Sequence, residues 1–324
     1  MKAVRIVQFG LGSLGLEIIK VLQKKEFKLV GVIDNDRNLV GKDVGTLALK
    51  SKLGIKVTGG IDLAKIKPDI VLHATTSDLN DAFSQIAGIV KHGIDIISTC
   101  EQLVYPYTSK ANAKLAKKMH DLAKKHGARI LGVGVNPGFV MDSLVLMLTS
   151  LCSRIDRIRI ERVVDVAKRR KALQKKMCLG LTVREFEKVK SKVGHVGLIE
   201  SAHMISDALH VKPTFRTSIR PVVANRVLRS YDVTIEPGQI AGLEHRLIGK
   251  VKNERFLEMI LYMFAGASEF DLMEIEGMPP LSVRTNGIQG DQATIALLLN
   301  YIPIVMNASS GLLMVRDLPL PRFS

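Results

Sequence analysis

The start of the chain is what most constrains its fold. Residues 1–9 read Met-Lys-Ala-Val-Arg-Ile-Val-Gln-Phe, a short apolar strand, and Gly10-Leu11-Gly12-Ser13-Leu14-Gly15 follows at once. Leu16 to Lys24 then carries a helical pattern. Strand, G-x-G-x-x-G and helix in immediate succession form the turn that cradles a dinucleotide pyrophosphate. Gly10 permits the tight turn, Gly12 lets backbone approach the phosphates, and Gly15 lets helix and strand pack closely. The helix N-terminus adds unpaired N–H groups and the positive end of its dipole.

A glycine turn alone is common, so its surroundings matter. The next apolar run, Lys28 to Ile33, ends in Asp34, about twenty residues past the glycines, where an acid can hold the adenosine ribose. Asn35, Asp36 and Arg37 follow. Asp34 suits NAD, Arg37 suits the 2′-phosphate of NADP, and both cofactors stand open at this point.

Strand and helix patterns alternate through the first 140 residues. Strands are expected at 3–9, 28–33, 55–58, 69–74, 94–98 and 129–133, and helices at 13–24, 61–66, 78–92 and 108–126. Such alternation predicts an α/β fold, a Rossmann-type doubly wound parallel sheet. Beyond Asn136-Pro137-Gly138 the pattern changes. A helix is expected over 142–152, a two-periodic strand over 156–164, helices over 168–176 and 182–192, and strands over 214–223 and 230–235. The stretches 246–251 and 256–264 read as two strands or as a strand and a helix. The second part is thus an α+β domain with a mostly antiparallel sheet. An apolar helix is expected over 290–309. The domains are read as a dinucleotide-binding domain over 1–139, a substrate-binding domain over 140–289, and a C-terminal helix and tail over 290–324 returning to the first domain.

Composition excludes several classes. The hydrophobic share of 47% and charged share of 24% describe an ordinary globular protein, and no apolar run is long enough for a membrane span. The chain enters a strand at once, leaving no room for a signal peptide. Cys100, Cys152 and Cys178 have neither metal nor disulfide spacing, and the eight histidines show no ligand pattern, so no metal is expected. A reducing cytoplasm fits. The net charge of +16 is concentrated. Residues 151–192 hold 14 Lys and Arg against 5 Asp and Glu, and residues 110–129 hold 7 against 1. These read as solvated helix faces. Aromatics are few and not interleaved with the basic residues, so neither nucleic acid nor membrane is expected as a partner.

In parallel sheets of this kind ligands sit at the carboxyl ends of the strands. The segments Ala74-Thr75-Thr76 and Thr99-Cys100-Glu101 therefore join the glycine loop as cofactor candidates. Glu101 is the first choice for catalysis, since a carboxylate there can take a proton or hold a cationic amine. Asn136 can offer its amide to the nicotinamide or the substrate, and Phe139 and Met141 can wall a pocket. Arg169 and Arg170 are candidates to clamp a substrate carboxylate, and His195 is the histidine singled out for a substrate role.

Together these segments resemble the 2,4-diaminopentanoate dehydrogenases and their relatives, the native amine dehydrogenases. The resemblance runs nearly end to end. It rests on the glycine loop, Thr99-Cys-Glu101 with Tyr105-Pro106, Gly134-Val-Asn-Pro-Gly-Phe139, Arg162-Val-Val-Asp165 with Arg169-Arg170, Gly194-His-Val-Gly197, and Gly311-Leu-Leu-Met-Val-Arg-Asp-Leu-Pro319. It implies a dihydrodipicolinate-reductase-like nucleotide domain, dimerisation through the second domain, and oxidative deamination of a small-molecule amine with NAD or NADP. It also implies Glu101 as the active-site glutamate and a substrate pocket near Asn136, Phe139, Asp165 and the rest of 162–178. The His-His-x-x-Lys and Ser-Gly-Thr signatures of the reductases themselves are absent. Val166-Ala-Lys168 departs from the smaller polar residues expected after Asp165. The alternatives are a carbonyl or semialdehyde dehydrogenase of homoserine-dehydrogenase type and a cofactor-sensing binding protein without turnover.

Overall fold

The computed structural model describes residues 3–190, 193, 197–230 and 233–323. In chain order the elements are β1 (Val4–Phe9), α1 (Ser13–Leu22), β2 (Phe27–Ile33), α2 (Val44–Ala48), β3 (Val57–Thr58), α3 (Leu63–Ile66), β4 (Ile70–His73), α4 (Leu79–Val90), β5 (Asp95–Ser98), α5 (Glu101–Val104), α6 (Lys110–His126) and β6 (Arg129–Gly132). Then come α7 (Ser143–Thr149), β7 (Arg154–Asp165), α8 (Lys171–Lys176), α9 (Val183–Val189), α10 (Leu198–Ala208) and β8 (Thr214–Val223). After these run β9 (Leu228–Arg229), β10 (Thr234–Ile235), β11 (Ile240–Val251), β12 (Glu254–Phe264), β13 (Phe270–Met278) and β14 (Leu281–Thr285). The chain closes with α11 (Gly290–Asn300), α12 (Ile302–Asn307) and β15 (Gly311–Leu313).

Two compact units divide the chain, residues 1–138 with 290–324, and residues 139–289. In the first unit a seven-stranded sheet runs β15-β6-β5-β4-β1-β2-β3, with every pairing parallel. Its central strands are apolar runs because helices cover both faces. Ile6, Val7, Ile70, Val71, Leu72, Ile96 and Ile97 are all fully buried. Helix α1 turns Ile18, Ile19 and Leu22 onto the sheet and packs against α11. Helix α6 buries only Ala116, Met119 and Ala123, and its lysines form the solvated face expected from the sequence.

In the second unit a six-stranded sheet runs β14-β13-β7-β12-β11-β8. All its pairings are antiparallel except β7 with β12. Strand β7 alternates through its middle and is wholly buried over its last four residues. Ile158, Ile160 and Arg162 are buried while Arg157, Arg159 and Glu161 are half-exposed.

The structure corrects several expected elements. The apolar stretch 290–309 is not one helix but α11 and α12, separated at Tyr301 and with Pro303 in the first turn of α12. Proline lacks the N–H that would continue the earlier helix. Strand β15 was not anticipated, being three residues long, and it adds the seventh strand beside β6. Both 246–251 and 256–264 are strands, within a long β11–β12 hairpin. The 168–176 helix is a 3₁₀ turn over Val166–Lys168 followed by α8.

Candidate active site

The glycine loop leaves β1 and enters α1 as its sequence requires. Gly10 has a φ of +94°, and a Cβ there would collide with the Ala74 carbonyl. A Cβ on Gly15 would collide with the Gly10 carbonyl, so the first turn of α1 lies directly on the loop. Gln8, fully buried below, donates from Nε2 to Gly10 O at 2.9 Å and fixes that carbonyl. A Cβ on Gly12, by contrast, would meet nothing within 4 Å. Gly12 is also the N-cap of α1, without a side-chain cap and with no acid in the first turn. Open space in front of uncapped N–H groups is what a pyrophosphate needs. Of the loop side chains, Leu11 is buried at 1% exposure, so it can offer a ligand only backbone. Ser13 is exposed and Leu14 is half-buried.

Asp34, just past β2, is tied to this loop. Its Oδ2 accepts from Leu11 N–H at 2.6 Å and its Oδ1 from Asp36 N–H at 2.8 Å. The carboxylate is thereby held at the edge of the cradle, with further lone pairs for ribose hydroxyls. Asn35 and Arg37 are exposed beside it. These residues fit a dinucleotide.

The other two strand ends are tied together. His73, the last residue of β4, is fully buried, and its ring stands edge-on to Phe9 at 5.4 Å. Its Nδ1 lies 2.8 Å from Ser98 Oγ and its Nε2 lies 2.7 Å from Gln85 Oε1 and 3.0 Å from Thr75 Oγ1. Burial drives its pKa down to about 4, partly opposed by the Gln85 hydrogen bond. Thr75 is exposed, and Thr76 Oγ1 caps Asp78 N–H at 3.2 Å. Ala74 and Thr99 are half-buried.

Glu101 opens α5 at the carboxyl end of β5. Gln102 holds this short helix to the start of α4, donating N–H to Ser77 O and accepting Leu79 N–H at Oε1, 2.8 Å away. Gly132 lets α5 rest on β6, since a Cβ there would stand 2.6 Å from the Leu103 carbonyl carbon and Val104 nitrogen. Cys100, expected at the cofactor, is instead packed inside. Its thiol donates to Ser77 O at 3.3 Å, and burial pushes its pKa up to about 12. Asn136 is 8% exposed, and its Oδ1 is buried with no hydrogen-bond partner among the described residues. Its turn is anchored by Val135 N–H donating to Thr294 Oγ1 of α11 at 3.1 Å.

The second unit carries the remaining candidates. Arg162 and Asp271 form an ion pair at 2.8 Å, with exposures of 3% and 2%. Arg162 Nη2 also donates to Ile288 O, and Asp271 Oδ2 accepts from Thr285 Oγ1 and Ile288 N–H, each at 2.8 Å. Burial lowers the Arg162 pKa, Asp271 raises it, and the nearby Arg169 charge lowers it again. Arg169 itself is buried, and its Nε and Nη1 have no hydrogen-bond partner among the described residues. The loop that presents it is built from within. Gln174 Nε2 donates to Arg169 O at 2.8 Å, and Ser230 Oγ donates to Gln174 Oε1 at 2.7 Å. An unpaired buried guanidinium is costly unless an anion completes it.

Asp165, expected near the substrate, has its carboxylate engaged within its own loop. Its Oδ1 caps Ala167 N–H and Gly266 N–H at 3.1 and 2.9 Å, and Oδ2 pairs with Lys168, so the carboxylate builds the loop. Met141 is fully buried, Phe139 is half-buried, and Arg170 is the N-cap of α8. His195 lies outside the described residues. The sequence places His73 at a ligand-bearing strand end without assigning it a role, and it does not show the depth of Arg162. A histidine ending the run Ile70-Val-Leu-His73, and an arginine on the apolar phase of β7, were the available signals.

A glycine turn opening α1, Asp34 tied to it and Glu101 at the carboxyl end of the same sheet have the form of a dinucleotide-binding oxidoreductase fold. Among known sequences, the profile of the 2,4-diaminopentanoate dehydrogenase C-terminal domain matches residues 139–323, and that of the dihydrodipicolinate reductase N-terminus matches residues 4–103. The chain is 32% identical to the 2,4-diaminopentanoate dehydrogenase of Acetoanaerobium sticklandii over 342 residues, covering 99% of this chain and 95% of that protein. It is 29% identical to an amine dehydrogenase of Streptomyces virginiae over 166 residues, 49% of this chain and 45% of that one. In structure it is similar to an amine dehydrogenase from Mycobacterium smegmatis, with a TM-score of 0.86 at 24% identity over 99% and 97% of the two chains. The chain belongs to the 2,4-diaminopentanoate dehydrogenase family. Among the described residues, no helix is long and apolar enough to cross a membrane.

Proposed function

We propose that this chain catalyses the NAD(P)-dependent oxidative deamination of a small amine to a ketone and ammonia, with 2,4-diaminopentanoate as the substrate class. Run backwards, the reaction is reductive amination. The observation that carries the reading is Glu101, a carboxylate at the end of β5, two strands along the sheet edge from the glycine cradle on β1.

The cradle's residues hold the cofactor, with N–H groups of α1 on the pyrophosphate, Asp34 on the adenosine ribose, and Thr75 and Thr76 on the second ribose. Bound there, a nicotinamide ring supplies the two-electron acceptor. Glu101 takes a proton from the substrate ammonium, freeing the nitrogen lone pair that drives loss of the α-hydride. Glu101 releases that proton to solvent; the iminium then adds water, Glu101 removes the water's proton and passes it to the nitrogen, and ammonia leaves as the carbinol hydroxyl gives up its proton to form the ketone. Asn136 Oδ1, buried and without a partner, accepts from an amide or ammonium N–H. In the second unit, Arg169, whose Nε and Nη1 have no hydrogen-bond partner among the described residues, is suited to take a carboxylate.

Asp34 also supports NAD over NADP, because a carboxylate fixed beside the loop repels a 2′-phosphate. Dimerisation through the second unit is part of the same reading, argued from its sheet face below.

The test is reduction of NAD⁺ and NADP⁺ with 2,4-diaminopentanoate beside simple amines lacking the carboxylate. Turnover on the diamino acid, with a drop of about 10²–10⁴ in kcat for Glu101→Gln at retained NADH binding, supports the reading. Ammonia-independent ketone reduction would replace it with a carbonyl dehydrogenase.

A further inference from the structure

His73 is a fully buried ionisable side chain at the carboxyl edge of the parallel sheet, and the proposed mechanism gives it no task. Its surroundings are unusually specific. Gln85 Oε1 is an acceptor, so the Nε2 facing it at 2.7 Å carries the proton. The same oxygen accepts from Thr75 Oγ1 at 2.7 Å. On the other side, Nδ1 is then an acceptor, and Ser98 Oγ donates to it at 2.8 Å. The Ser98 hydroxyl in turn accepts Cys100 N–H at 3.1 Å, one residue before Glu101. Each donor in this chain meets an acceptor, which fixes one neutral tautomer. Backbone bonds join at the same point. Ala74 N–H donates to Phe9 O at 2.8 Å and Thr99 N–H donates to His73 O at 2.9 Å.

We propose that His73 is a positioning residue with two arms, one setting Thr75 for the cofactor ribose and the other setting the start of α5 for Glu101. The inference rests on the dehydrogenase reading above and assigns the imidazole a task within it. The Nε2 arm reaches Thr75 through Gln85. The Nδ1 arm reaches Cys100 N–H through Ser98. Neither arm touches a reacting atom. The ring stays neutral at working pH, because burial keeps its pKa far below the ordinary histidine value. It therefore serves as a rigid connector and not as a proton carrier.

The two arms can be cut separately. In His73→Asn the amide oxygen stands about where Nδ1 does, so the Ser98 arm persists and the Thr75 arm is lost. In His73→Gln the amide nitrogen stands about where Nε2 does, so the Gln85 and Thr75 arm persists and the Ser98 arm is lost. The expected result is a split. His73→Asn raises KM for NAD⁺ and Kd for NADH about tenfold at near-unchanged kcat. His73→Gln lowers kcat with 2,4-diaminopentanoate about tenfold, alters its pH profile, and leaves NADH affinity near that of the wild type. Gln85→Leu and Ser98→Ala cut the same arms without touching His73, and they read the same split if either histidine variant fails to fold. Equal losses of kcat and cofactor affinity in both arms, or none in either, would overturn the proposal. A wild type that turns over and binds NADH confines that failure to His73. A wild type that binds no NADH overturns the cofactor reading along with it.

Discussion

Single residues in this protein are set by their surroundings more than by their type. His73 shows it most plainly. Buried and fully hydrogen-bonded as a neutral ring, its pKa lies near 4, against about 6.5 in an unfolded chain. The unfolded state therefore binds the proton first as pH falls. Stability at this position is complete above about pH 6.5 and is lost progressively down to about pH 4, a difference of about 3 kcal/mol. Thermal unfolding of the wild type should accordingly steepen its loss between pH 6.5 and 4.5, and His73→Asn should show a flatter curve. Parallel curves for the two proteins would mean that His73 titrates normally. Arg162 and Asp271 make the converse case. Asp271→Ala strands a guanidinium of 3% exposure, and an uncompensated buried charge costs about 3–5 kcal/mol. Denaturant midpoints should show that loss, whereas Asp271→Asn, which keeps the acceptors for Thr285 and Ile288, should lose less. At this scale the sequence was partly legible. The glycines and Asp34 stand where spacing puts them, because backbone geometry demands those residue types. No sequence pattern shows that the Cys100 side chain is turned to Ser77 or that the Asp165 carboxylate accepts from Ala167 and Gly266 N–H.

At the scale of elements, the parallel sheet was readable because its longer strands are mostly apolar runs that alternate with helical patterns. Where a strand is short or partly polar, that signal fails. Gly311-Leu-Leu313 has three residues and is a strand because the edge of β6 accepts it. In β13 burial alternates but polarity does not, because Asp271 lies on the buried phase with Met273 and Ile275 while Phe270 and Leu272 share the outward phase with Glu274 and Glu276. Helix α5 is the most informative element for function. It has one turn, and its position depends on Gly132 allowing close contact and on Gln102 bridging to α4. Gly132→Ala should therefore displace Glu101 without touching it. We expect kcat to fall about tenfold or more at nearly unchanged NADH affinity, because small misplacements of a catalytic group are costly. Gly15→Ala should do the reverse. Its Cβ would collide with Gly10 O, so NADH binding should weaken severely. Titration of NADH fluorescence and steady-state kinetics on the two variants separate these effects. If Gly132→Ala lost NADH affinity, α5 would belong to the cofactor cradle instead.

For the molecule as a whole, the second unit's sheet raises the question of what covers it. One face buries Leu247, Leu257, Met259 and Leu261, while the other carries Arg157, Arg159, Glu161, Arg246 and Glu258 around Ile260 and Tyr262. On that second face the arginines pair with Glu258, Glu274, Glu276 and Glu244. Charge is nevertheless unevenly spread across it. Strand β8, at one edge, presents Arg216 and Arg220, which have no ion pair among the described residues, and with Ser218, Arg246 and Ile248 they line a groove of about 370 Å³. Toward the opposite edge, β13 presents Glu274 and Glu276, with side-chain exposures of 40% and 63%. A two-fold axis lying in front of this face and parallel to the strands would bring the basic edge of each copy over β13 of the other, the self-complementary arrangement of an isologous dimer. Opposed charges set the register of such a contact, and the half-buried Ile248, Tyr262 and Leu272 supply its apolar centre. Light scattering on the wild type should then give twice the chain mass of 35.6 kDa. Reversing both Arg216 and Arg220 to Glu should set acid against acid and yield a folded monomer. Adding Glu274→Arg and Glu276→Arg should restore the dimer. A monomeric wild type, or a dimer indifferent to the double reversal, would place the assembly surface elsewhere.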